Sequence, residues 1–174
     1  MKNRKLIQAQ QAYIGELTKN CTHGLTLQTN LYTCNSSQKS MEMKVMSAKQ
    51  AMRGFLPKLN WLLTGNGYKR NPAFVPVIIT ALEGTLNTYD RNKTLHFHLA
   101  IGNFDENRLT PDMLEKLIEH WIGTGIGTDD IKLHTLRPTK GDGWGGYIDK
   151  EAWKGNPDCI DLDNTQLPVH LLAD

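Results

Sequence analysis

The segment Thr94-Leu95-His96-Phe97-His98-Leu99-Ala100-Ile101 alternates in character more strictly than any other part of the chain. In an extended strand successive side chains point to opposite faces. Leu95, Phe97 and Leu99 therefore share one face, which needs a covering layer, while His96 and His98 share the other. Two imidazoles on one face can converge on a single cation, although strand histidines two apart are more often surface or hydrogen-bonded residues.

The preceding strand supplies a third group. A hairpin over residues 81–100, turning at Asp90-Arg91 inside the polar run Asn87 to Lys93, pairs Leu82 with Leu99, Gly84 with Phe97 and Leu86 with Leu95. That register keeps one face apolar and sets Glu83 opposite His98 and Thr85 opposite His96. A slip of one residue would pair the carboxylate with an apolar position. Two imidazoles and one carboxylate, with further positions open, suit a divalent ion that also holds substrate oxygens, here Mn²⁺ or Mg²⁺. The alternative is a Glu–His surface pair that stabilises a hairpin.

Around this segment the chain of 174 residues reads as one domain, 1–174, with residues 155–174 as a C-terminal tail. Residues 5–19 read as a helix and 23–30 as a strand alternating Leu25 and Leu27 with polar neighbours. From Met41 to Leu63, Val45, Ala48, Met52, Phe55, Leu59 and Leu62 recur at three- and four-residue steps, the stripe of an amphipathic helix with Pro57 inside it. Strands are expected over 74–86, 94–102 and Asp130 to Leu136. A helix is expected from Thr110-Pro111 with Leu114, Leu117, Ile118 and Trp121 buried, and a shorter one from Tyr147 to Lys154. Strands and helices interleave without the regular alternation of a doubly wound sheet. The expected fold class is α+β, an antiparallel sheet with helices packed on one face.

Composition excludes more than it selects. No window approaches eighteen uninterrupted apolar residues, so no membrane partner is expected. The basic N-terminus is followed by Gln8, Gln10 and Gln11 rather than an apolar stretch, so no leader is expected either. Three cysteines, Cys21, Cys34 and Cys159, form no close pair, which argues against a disulfide framework or a cysteine zinc site and fits a reducing cytoplasm. A net charge of +2 permits nucleic-acid binding without requiring it. Lys69, Arg70, Arg137 and Lys140 are the candidate phosphate contacts.

Three segments resemble, in order, the motifs of the HUH endonucleases, the family of rolling-circle replication initiators. His23 to Asn30 is similar to the first, a Leu-Thr-Leu-type strand. His96-Phe97-His98 is similar to the His-hydrophobe-His motif, and Tyr147-Ile148-Asp149-Lys150 to the Tyr-x-x-Lys motif of the catalytic helix. The span from Glu83 to His98 resembles the Glu-Gly hairpin that provides the acidic ligand in many initiators. The resemblance implies a ferredoxin-like or RRM-like sheet with the histidines on a central strand. It implies that Tyr147 attacks a phosphodiester of single-stranded or hairpin DNA, leaving a 5′-phosphotyrosine link and a free 3′-hydroxyl. Lys150, one helical turn on, would stabilise the phenolate or the charge developing on phosphate. Host replication proteins are then expected partners.

With one tyrosine beside the motif, a single-tyrosine mechanism is implied, and a single-tyrosine transposase of the same superfamily is the nearest rival. Conjugative relaxases commonly use three histidines, whereas Glu83 is the third ligand here. A cupin-type metalloprotein is nearly all β, and the helices at 41–63 and 110–122 count against it. A non-catalytic RRM-like module stacks bases on aromatics across its sheet, where this chain has Glu83, His96 and His98.

Overall fold

The structure is a computed structural model that describes residues 2–86, 89–136, 148, 154, 156 and 159–168. Strands β1 (His23–Tyr32), β2 (Val77–Glu83), β3 (Thr94–Gly102) and β4 (Gly127–Thr135) form one open antiparallel sheet in the order β2-β3-β1-β4. The helices are α1 (Lys2–Thr18), α2 (Gln38–Thr64), the single turn α3 (Gly67–Arg70) and α4 (Pro111–Ile122). Among the described residues no helix is long and apolar enough to cross a membrane, and none of Cys21, Cys34 and Cys159 is in a disulfide. Burial pushes the Cys21 thiol up to about 12.

Helices α2 and α4 cover one face of the sheet because each carries a single apolar stripe and a defined start. The Ser37 hydroxyl accepts from the Ser40 N–H at 3.2 Å, and the Thr110 hydroxyl accepts from the Met113 N–H at 3.2 Å, with Pro111 filling the first turn of α4. Ala48, Met52, Phe55, Leu59, Leu62 and Leu63 of α2 meet Leu25, Leu27, Ile78, Leu82, Leu95, Phe97, Leu99 and Ile101 of the sheet. Trp121 closes this core between Phe55 and Phe97, ring centroids 5.1 and 5.9 Å away, and its indole N–H donates to the Gln28 carbonyl at 2.7 Å. At the other end of α2 the Arg108 guanidinium donates to the Leu62 carbonyl at 2.9 Å, a cation placed where the helix dipole is negative.

The expectation of helices on one face holds for α2 and α4 but not for α1. Ile14, Leu17 and Cys21 join Val77, Ile79, Ala81, Ala100, Ile148, Cys159 and Ile160 in a second cluster on the opposite face. That face is therefore divided. It is apolar near Val77 and Ala100, and polar where β2 and β3 carry Glu83, His96 and His98.

Residues 159–168, part of the span read as a tail, lie along the outer edge of β2. The Ile78 N–H donates to the Gln166 carbonyl at 2.8 Å and the Gln166 N–H returns to Ile78 at 2.7 Å. Asp161 N–H donates to Thr80 and Leu82 N–H to Cys159, both at 2.8 Å. An edge strand is thereby satisfied rather than left open to pairing with another chain. The segment is anchored by a buried carboxylate that sequence patterning gives no sign of. Asp161 has no exposed surface; its Oδ2 accepts from Asn164 Nδ2 at 2.6 Å and its Oδ1 faces Lys49 Nζ at 3.4 Å. Removing one partner of a buried pair strands the other charge, at ~3–5 kcal/mol when both are fully buried. One third of the Lys49 side chain reaches water (33% exposed), which reduces that figure. Lys49→Met should cost about 2 kcal/mol in urea unfolding, and an unchanged midpoint would remove this anchor from the fold's account.

Candidate metal centre

Glu83 is the last residue of β2, and His96 and His98 lie on β3, an interior strand of the sheet. One ligand atom from each of the three lies within 4.8 Å of the others. Glu83 Oε2 stands 3.6 Å from His96 Nε2 and 3.4 Å from His98 Nε2, and the two imidazole rings are perpendicular with centroids 5.0 Å apart. Separations of 3.4 and 3.6 Å exceed good hydrogen-bond length. They lie at, or a few tenths of an ångström above, the top of the roughly 2.9–3.4 Å range between neighbouring ligands of an octahedral or tetrahedral ion held at about 2.0–2.1 Å.

The far sides of both rings are engaged. His96 Nδ1 lies 3.2 Å from the Thr94 carbonyl, an acceptor, so this nitrogen carries the proton and Nε2 presents its lone pair to the cluster. His98 Nδ1 lies 3.0 Å from the Thr26 hydroxyl, which the β1–β3 register sets directly across from it. Metal-binding histidines are typically held in this way by a carbonyl or polar group behind the ring. Glu83 and His98 are buried, and His96 keeps 19% of its side chain exposed, so the cluster opens to solvent on one side. A divalent cation held there would offset the charge of the buried Glu83 carboxylate. The donor set fits such an ion.

The register differs from the expected one by two residues. Glu83 is the Cα partner of His96, not His98, and Ala81 faces His98; Leu82 faces Phe97 rather than Leu99. Because the pleat repeats every two residues, a shift of two leaves each side chain on its expected face, and the three ligands still meet. The physical reason is Gly84. Its φ of +100° ends β2, and a Cβ there would stand 2.3 Å from the Thr94 carbonyl oxygen. Neither Gly84–Phe97 nor Leu86–Leu95 is then a pair, and Thr85, expected opposite His96, instead accepts a hydrogen bond from Asn156 Nδ2 at 3.0 Å.

That close approach makes Gly84 a positioning residue, since the same Thr94 carbonyl orients His96. Gly84→Ala should displace the carbonyl and weaken Mn²⁺ binding roughly 10–100-fold, the usual effect of disturbing a group behind a metal ligand. Calorimetry on a variant shown by circular dichroism to be folded is the check, and wild-type affinity would break the chain from Gly84 to His96.

The other expected site residues divide cleanly. Lys69 and Arg70 are exposed on α3, which precedes the Val77 end of β2. Six residues of strand, about 20 Å, separate that end from Glu83, so the structure does not bring them to the cluster. Tyr147, Lys150, Arg137 and Lys140 lie outside the described residues. Thr26 and the Thr94 carbonyl were missed by sequence reasoning. Thr26 sits at the polar position between Leu25 and Leu27, so its face was legible but its partner on β3 was not.

No protein-family model matches the chain, and no curated protein or solved structure matches it significantly.

Proposed function

We propose that this chain is a metal-dependent enzyme that nicks single-stranded DNA through a covalent tyrosine intermediate, an HUH-type endonuclease acting in replication initiation by strand transfer. The observation that carries the reading is the Glu83–His96–His98 cluster, set on the sheet face away from α2 and α4 and open to solvent beside His96. Two further features support it. The succession β1-α2-β2-β3-α4-β4, with α1 and α3 besides, agrees with the βαββαβ plan of a ferredoxin-like sheet and supports that reading. Ile148, the residue after Tyr147, is buried with Ala81 and Ala100 on the face that carries the histidines.

In this reading Glu83, His96 and His98 would hold a divalent ion, whose Lewis acidity would polarise the scissile phosphate. The Tyr147 phenolate oxygen attacks phosphorus in line. The phenol proton passes to solvent, the new O–P bond forms as the bond from phosphorus to the 3′-oxygen breaks, and that oxygen leaves and takes a proton from solvent as the 3′-hydroxyl. Lys150, three residues from Tyr147, stabilises the phenolate or the phosphate charge. The reverse attack by a 3′-hydroxyl rejoins strands and releases the tyrosine.

The testing experiment is incubation with a pool of single-stranded oligonucleotides and Mn²⁺, followed by denaturing electrophoresis. A metal-dependent protein–DNA band that survives denaturation is expected. Its absence across a diverse pool, with chelator and metal compared, would set the nuclease reading aside.

A further inference from the structure

One exposed tyrosine ends the strand beside the candidate metal ligands and a second lies in the loop that joins their two strands, and neither has a part in the chemistry just described. Tyr32, 58% exposed, is the Cα partner of Thr94 at the end of the β1–β3 ladder. The β1–β3 ladder is irregular between Gln28 and Tyr32, and beyond that irregularity Tyr32 again pairs with Thr94. Antiparallel partners share a face, so Tyr32 belongs to the face of Thr94, His96 and His98. Tyr89, 87% exposed, lies in the connection from Glu83 to Thr94, so both ends of its loop adjoin the cluster.

This end of the molecule is held in place. The Thr33 N–H and hydroxyl both donate to the Lys93 carbonyl, at 2.9 and 3.2 Å, and Lys93 Nζ reaches back to the Leu86 carbonyl at 2.6 Å. Lys44 Nζ donates to the Tyr32 carbonyl at 2.7 Å. Arg91, exposed in the same connection, adds a cation.

We infer that Tyr32 and Tyr89 are stacking platforms for unpaired nucleobases flanking the phosphate at the metal centre, and so help select which phosphodiester is presented. The inference rests on the nuclease reading for its substrate class. A large ring left in water gains nothing for the fold, whereas a base stacked on it is sequence-tolerant and contributes substantially to single-strand binding.

The test measures fluorescence anisotropy of a labelled single-stranded oligonucleotide of mixed sequence, and of an abasic strand of equal length, with Mn²⁺ in a Tyr147→Phe background. Tyr32→Ala/Tyr89→Ala should bind the base-bearing strand more weakly by about 30-fold or more, roughly fivefold or more for each base lost, and the abasic strand unchanged. Tyr32→Phe/Tyr89→Phe, which keeps both rings, should bind as the parent does. Equal affinity of the alanine variant for the base-bearing strand, or an equal loss on the abasic strand, overturns the inference. The same alanine pair with Tyr147 intact separates the two readings. Undiminished binding with adduct formed leaves the nuclease and removes the platforms. Weakened binding with no adduct in any variant leaves the platforms and removes the nuclease. A parent that binds no single strand removes both.

Discussion

Tyr147→Phe should form no covalent protein–DNA adduct, while folding and Mn²⁺ affinity remain those of the wild type. The substitution removes one oxygen, the atom that bonds to phosphorus, and leaves the ring. The expected effect is total because no weaker nucleophile replaces a covalent bond. An ordinary phenol has a pKa of about 10 and needs help to ionise at neutral pH. Lys150→Ala should therefore slow adduct formation without abolishing it, by about 100–1,000-fold if its role matches that of a transition-state hydrogen-bond donor. Other tyrosines are present, and Tyr32 shares the histidine face. Mass spectrometry of the nucleotide-bearing peptide decides between them. An adduct on Tyr32 or Tyr89, or one that persists in Tyr147→Phe, would falsify the assignment.

The double variant His96→Ala/His98→Ala should bind no Mn²⁺ by calorimetry and gain no thermal stability from it. The wild type should gain about 2.7 kcal/mol at a hundredfold excess over Kd. Only Glu83 remains of the three donors, and a single carboxylate competes poorly with water for the ion. The variant should still fold, because Leu95, Phe97 and Leu99 hold β3 against α2 and α4 from the other face. The single variants should differ. At His96, which keeps 19% exposure, water can take the vacated position, whereas His98 is buried against Thr26 and its loss leaves a cavity. His98→Ala should thus lose more affinity and more stability than His96→Ala. Manganese is the better probe than magnesium, which prefers oxygen ligands and dehydrates reluctantly.

The alternation through Thr94–Ile101 was sufficient to put both histidines on one face and to require a helical layer on the other. The stripe from Ala48 to Leu62 and the Thr110-Pro111 start identified the helices that provide it. Glu83 could be matched to the histidines because its parity, not its pairing partner, decides its face. The pairing was two residues out, since Leu82 packs equally well opposite Leu99 or Phe97 and the apolar pattern has no means of choosing. The positive φ at Gly84 chooses, and a glycine in a sequence does not announce which sign of φ it will adopt.

What the sequence by itself determined, then, is everything with a local period: the faces of strands, the stripes of helices, and the three residues that form the candidate metal centre. What only the tertiary structure decided is whatever depends on contacts distant along the chain. Thr26 meets His98 across 72 positions, the Thr94 carbonyl lies behind His96 because Gly84 lets it approach, and Asp161 lies against Lys49 where residues 159–168 close the edge of β2. The same holds for α1, legible as a helix over residues 5–19 but placed on the second face only by packing against β2 and β3. Periodicity is written in neighbouring residues, but a hydrogen bond between remote ones is settled by how whole layers pack, and no short window of sequence contains that information.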